Sequence, residues 1–83
     1  MAHQRVGYVQ DFSTAHHLLV EQGVHPLKAA RILRNLSVVG LAAASGVSAR
    51  TIFYAEAGTH IGSFSRHRLS AYFGMEAYAL GLI

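Results

Sequence analysis

The sequence predicts an all-α domain, and three features point there. Residues that cap helices (Asp, Ser) recur ahead of apolar runs, and glycines recur behind them. Within each run the apolar residues fall at helical spacing, with no alternating stretch of the kind a strand shows. Thirteen of the 83 residues are alanine, which favours close-packed helices over a β-sandwich.

Each element follows from these signals. Residues 1–10 are polar and aperiodic and read as a loose arm. Asp11 or Ser13 then caps a helix reaching about Gln22, with Phe12, Ala15, Leu18, Leu19 and Gln22 at helical spacing and Gly23 ending it. Pro26 suits the first turn of a second helix, to about Asn35, because a proline there forfeits no hydrogen bond. Leu27, Ala30, Leu33 and Leu36 give this helix an inner face, while Lys28, Arg31 and Arg34 line the other side. Ser37 caps a third helix over 38–45, which Gly46 stops. Ser48 caps a fourth over 49–57, which Gly58 stops. A loop over 59–63, a fifth helix over 64–73 stopped by Gly74, and a last short helix or turn over 75–80 complete the chain.

A chain of this length has room for one modest core. With 52% hydrophobic and 13% charged residues it has the reverse of a disordered composition. The most apolar stretches, 36–47 and 72–83, fall short of the ~18 residues a membrane span requires, so no membrane partner is expected. Residues 1–20 hold no apolar run between a basic start and a small-residue cleavage site, so no secretion signal is expected. The absence of cysteine excludes disulfides and thiolate metal sites and suits a reducing cytoplasm. Net charge is +3, and six of the seven cations are arginine, the residue suited to bidentate phosphate or guanine contacts. Such a balance is compatible with a polyanion partner and equally with mere solubility.

The informative stretch is Leu36–Gly58. Two short helices joined by a tight turn need a small residue where they cross, and Ala42 is there. They need a left-handed backbone in the turn, which Gly46 adopts without the penalty a Cβ carries. Val47 plugs the turn into the core, and Leu41, Ile52 and Ala55 face inward. With Leu36-Ser37, Leu41-Ala42, Gly46-Val47-Ser48, Thr51-Ile52 and Glu56-x-Gly58, the stretch resembles the helix-turn-helix of the lambda repressor and Cro (XRE-type) family. The resemblance spans about residues 26–81. It implies a five-helix bundle, with residues 1–25 as an arm and additional N-terminal helix and 26–83 as the DNA-binding domain. It also implies that Arg31, on the helix before the motif, pairs with Glu56 near the end of the recognition helix.

The same resemblance implies that the fourth helix enters the major groove with Ser48, Ala49, Arg50, Thr51, Phe53 and Tyr54 near the DNA. Arg50 is the residue there able to grip guanine O6 and N7 in bidentate fashion. Ala49 and Phe53 are placed to touch a thymine methyl, and Tyr54 to donate to a base or phosphate. Thr59, His60, Ser63, Ser65 and Arg66 are expected to contact phosphate, with Arg68 and Lys28 at the edges, or else Arg66 and Arg68 form a solvated helix face.

Some positions depart from the family pattern. Val38 and Val39 stand where relatives place polar residues. They mark an interface, or the extra helix covers them, as it is expected to cover Ile32. The apolar C-terminus offers Tyr78, Leu80, Leu82 and Ile83 either as a dimer surface or as cover for the monomer's own core. Adjacent His16 and His17 point about 100° apart on a helix and so cannot easily share an ion; no metal, cofactor or catalytic constellation is expected. The expected function is a dimeric double-stranded DNA-binding regulator, a Cro- or immunity-type repressor of a bacterial cell or phage-infected host. The alternative is a protein-interaction module, such as an antitoxin, working through the apolar Val38/Val39/Phe53/Tyr54 face.

Overall fold

The computed structural model describes residues 11–83, which are helical with no strand among them; the expected arm over 1–10 lies outside these residues. The order is α1 (Phe12–Glu21), α2 (Pro26–Leu33), α3 (Val38–Ser45), α4 (Ala49–Glu56) and α5 (Ser63–Phe73), followed by a 3-10 turn, Ala77–Leu80.

The caps account for most of the boundaries. Asp11, rather than Ser13, caps α1, accepting from the Thr14 N–H at 2.8 Å. That bond holds the Asp11 carboxyl below the usual carboxylate range. Ser37 and Ser48 cap α3 and α4 by accepting from the Gly40 and Thr51 N–H groups. At α2 the acceptor is one the sequence did not suggest: His25 Nδ1 takes the Leu27 N–H at 3.1 Å. That helix ends two residues before the expected Asn35, because Asn35 adopts a left-handed backbone at φ 59°. The turn lets the Leu36 N–H return to the Arg31 carbonyl.

One core joins the elements. Leu27, Leu41, Ile52, Leu69 and Leu80 are fully buried, with Val47, Ala55, Ile61, Phe73 and Leu82 around them and Phe12 of α1 packed alongside. α1 lies against α2. There His16, nearly buried, stacks on Phe12 and bonds the Pro26 carbonyl through Nε2 at 2.8 Å. Arg34 is exposed, as expected of the polar side of α2, and it also lies against aromatic rings. Its guanidinium lies 5.3–5.7 Å from the ring centres of Phe12, Tyr72 and Phe73, which ties α1 and α5 to the end of α2.

Two expectations are corrected, and the alternatives open for the valines are divided. The extra helix does not cover Ile32, which stays 44% exposed because α1 packs along α2 through Phe12 and His16. The valine pair divides: Val38 packs against the core while Val39 is 72% exposed, as neighbours about 100° apart on a helix must. At the C-terminus Leu80 and Leu82 cannot form a dimer surface, because the 3-10 turn folds both into the monomer's own core. Tyr78 and Ile83 remain outward.

Candidate nucleic-acid interface

The α3–α4 pair is held by its turn. The two helices meet at 116°, across a three-residue connection held by several hydrogen bonds. Gly46 sits at φ 78° and sends its N–H to the Ala42 carbonyl. Ser45, buried at the end of α3, donates its hydroxyl to the Leu41 carbonyl and accepts the Val47 N–H. The Ser45 carbonyl in turn receives Nε of Arg68 from α5 at 3.0 Å. Arg68, considered from the sequence as a phosphate contact at the edge, is exposed and also braces the turn, lying over Phe64 and against Gly46. Ser45 and Arg68 left no local signal, since they act together across 23 residues.

Behind α4, Arg31 and Glu56 do pair. Arg31 Nε and Nη2 donate to the two Glu56 carboxylate oxygens at 2.7 and 3.0 Å, and Nη1 donates to the Leu36 carbonyl at 3.0 Å. Their side chains are only 12% and 9% exposed, so this is a nearly buried, bidentate bond rather than a surface pair. The Glu56 carboxylate raises the Arg31 pKa above its already basic ordinary value. Ile52 and Ala55 fill the space beside it.

The opposite side of α4 is open. Phe53 is 61% and Tyr54 48% exposed, Arg50 is exposed, and Ala49 is half-buried. Ser48 and Thr51 join through their hydroxyls at 2.9 Å. Arg50 lies over the Tyr54 ring, 5.9 Å from its centre, and its Nε donates to the Tyr54 hydroxyl at 3.3 Å. Glu56 is the one acid in α4, and it points inward, so the outward side carries no negative charge.

The loop after α4 is anchored by Ile61, which is buried in the hydrophobic core and was not singled out from the sequence. Thr59, His60 and Ser63 are exposed, and Ser65 is half-buried. Arg66 reaches back to donate to the Ile61 carbonyl at 2.8 Å and approaches His60 Nε2 at 3.5 Å, gathering two of the expected phosphate contacts at one place. α5 starts with no side-chain cap, which leaves N–H groups there for solvent or an anion. Lys28 is exposed on α2 and takes part in none of these contacts. His16 and His17 diverge as expected: the first is nearly buried, and the second pairs with Glu21 at the surface. Among the described residues no three His, Asp or Glu side chains gather as a metal site would require. No helix there is long and apolar enough to cross a membrane alone, and the bent pair of matching length and composition is α3–α4, whose Leu41, Ile52 and Ala55 are buried in this core.

Comparison with protein-family models, curated proteins and solved structures found no match for this chain.

Proposed function

We propose that the chain is a sequence-recognising double-stranded DNA-binding protein of the lambda repressor and Cro type, acting in the cytoplasm as a repressor that occludes a promoter. One observation carries the reading. α4 is clamped from behind by Arg31–Glu56, set at 116° to α3 by a turn braced from Ser45 and Arg68, and presents an acid-free outer side with Arg50 at its N-terminal end. Helix pairs in helix-turn-helix units cross at about 90–120°, and the second helix leads with its N-terminal residues into the major groove.

In this reading Arg50 bonds guanine, while Ser48, Thr59, His60, Ser63 and Arg66 hold phosphates. A homodimer formed through Tyr78 and Ile83 sets two copies of α4 about 34–36 Å apart, one helical turn of DNA. Arg50→Ala should cost about 1–3 kcal/mol on the preferred site and relax one G·C position, whereas Arg66→Ala should weaken all sequences alike. Binding to sites enriched from a random duplex pool measures both. Equal losses on enriched and random DNA for Arg50→Ala would remove it from base reading.

Val39 at 72% and Phe53 at 61% exposure favour a second reading, a module whose apolar face holds a partner protein. Ionic strength separates the two, since phosphate binding weakens steeply with salt and apolar contact does not.

A further inference from the structure

The outer side of α4 is divided into two stripes. Ala49 and Phe53 stand one turn apart and are apolar; Arg50 and Tyr54 stand beside them, also one turn apart, and are joined ring to guanidinium. We propose that this pair of stripes recognises a 5-methylpyrimidine next to a guanine; the proposal rests on the DNA-binding reading above.

The argument starts from what each stripe can bond. A base edge in the major groove offers hydrogen-bonding groups or, on thymine and on 5-methylcytosine, a methyl carbon at position 5. Arg50 is the cation in α4; its Nε donates to the Tyr54 hydroxyl and its guanidinium carbon lies 5.9 Å from the ring centre. That contact engages Nε and leaves the two Nη groups for a bidentate bond to guanine O6 and N7. Holding the side chain there before binding lowers the ordering cost of that bond.

The neighbouring stripe has nothing to donate or accept. Phe53, 61% exposed, meets water in the free protein, and a polar base edge would lose its own water against it without compensation. A methyl group is the one major-groove feature that gains from that contact. Because the two stripes are adjacent on the helix, the base pairs they meet are adjacent in the duplex. The absence of an acid on this side removes the residue type that would accept from cytosine N4. A thymine and a methylated cytosine present the same methyl, so the chemistry is shared by two sources.

The test uses the full chain and duplexes enriched from a random pool containing thymine. Each enriched duplex is remade with deoxyuridine at every thymine, and separately with 5-methylcytosine at every cytosine. Burial of one methyl is worth about 0.8 kcal/mol, or about fourfold in Kd. A loss of about fourfold per contacted position on deoxyuridine supports the proposal and identifies thymine as the source. A gain of that size on cytosine methylation supports it and identifies 5-methylcytosine. Phe53→Ala, at an exposed position, should bring the Kd values of the methylated and unmethylated duplex forms together. Equal Kd for all three duplex forms, with binding still lost in Arg50→Ala, overturns the methyl proposal and leaves the DNA-binding reading standing. Failure to bind any duplex overturns both.

Discussion

On its inner side α4 places Ile52 and Ala55 at 0% and 1% exposure and bonds Glu56 to a cation on α2; on its outer side it leaves Phe53 at 61% and Tyr54 at 48%. The same eight residues thus meet two different demands. Inward, both Glu56 carboxylate oxygens are bonded by Arg31 of α2, and no buried side-chain nitrogen or oxygen among the described residues lacks a partner. Outward, the one side-chain hydrogen bond of Arg50 is to its own helix. The difference separates residues that set the position of α4 from residues that use it. Changes on the inner side should therefore alter stability first, and changes on the outer side binding alone.

The most severe inner change is removal of Leu80–Ile83. It takes out two leucines at 0% and 5% exposure, each worth about 2–5 kcal/mol in a core, against a total stability of about 5–15 kcal/mol. The truncated chain should lose its helical circular dichroism at every protein concentration. A folded truncated monomer would show that the C-terminus serves assembly rather than the core. Next is Glu56→Ala, which leaves Arg31 nearly buried and unpaired. Loss of one partner of a buried pair costs about 3–5 kcal/mol, and the remaining bond from Arg31 to the Leu36 carbonyl puts the expected value near the lower end. Urea denaturation measures it. A loss under about 0.5 kcal/mol, as exposed pairs give, would mean that Arg31 and Glu56 do not position α4.

Gly46→Val follows, at about 2 kcal/mol, because a branched residue must take the left-handed backbone at φ 78°. A Cβ there also collides with the Arg68 guanidinium. Repeating the substitution in an Arg68→Ala background isolates the backbone strain: the clash disappears and the φ penalty remains. An unchanged melting temperature for Gly46→Val alone would contradict the geometry of the turn.

These effects also show how far the sequence could be read. Ser37, Ser48 and Gly46 were legible because caps and left-handed turns follow local rules. Leu41, Ile52 and Ala55 were legible because helical spacing identifies an inner face. Arg34, Ser45 and Arg68 were not legible, since they act through contacts made only after folding: the Arg34 bond to the Phe73 carbonyl spans 39 residues and the Arg68 bond to Ser45 spans 23; the His25 cap is local, but histidine is not among the usual capping residues. Leu80 and Leu82 show a different limit. Their apolarity required burial, but composition does not say whether a second copy or their own core provides it. Among the candidate contacts, Arg50 was legible from its place on α4, whereas its attachment to Tyr54 depends on rotamers that no spacing specifies.

The smallest inner effect depends on pH and centres on His25, which caps α2 behind α4. Nδ1 must be unprotonated to accept the Leu27 N–H. Burial lowers the pKa of the imidazole from its ordinary 6.5, outweighing the attraction of Glu56 and a bond to the Gly81 backbone, both of which raise it. Above the ordinary value neither the folded nor the unfolded chain binds the proton, and the full contribution is present. As pH falls below that value the unfolded chain binds the proton while the folded chain resists it, so stability is lost until the lower, folded value is passed. Urea midpoints should therefore decline between pH 7.5 and 5.5. In His25→Asn the cap survives, because asparagine is a good N-terminal acceptor, and the part of the decline owed to this ring should vanish. Parallel profiles for the two proteins would show that the acid sensitivity lies elsewhere, and that the region behind α4 is indifferent to protons over this range.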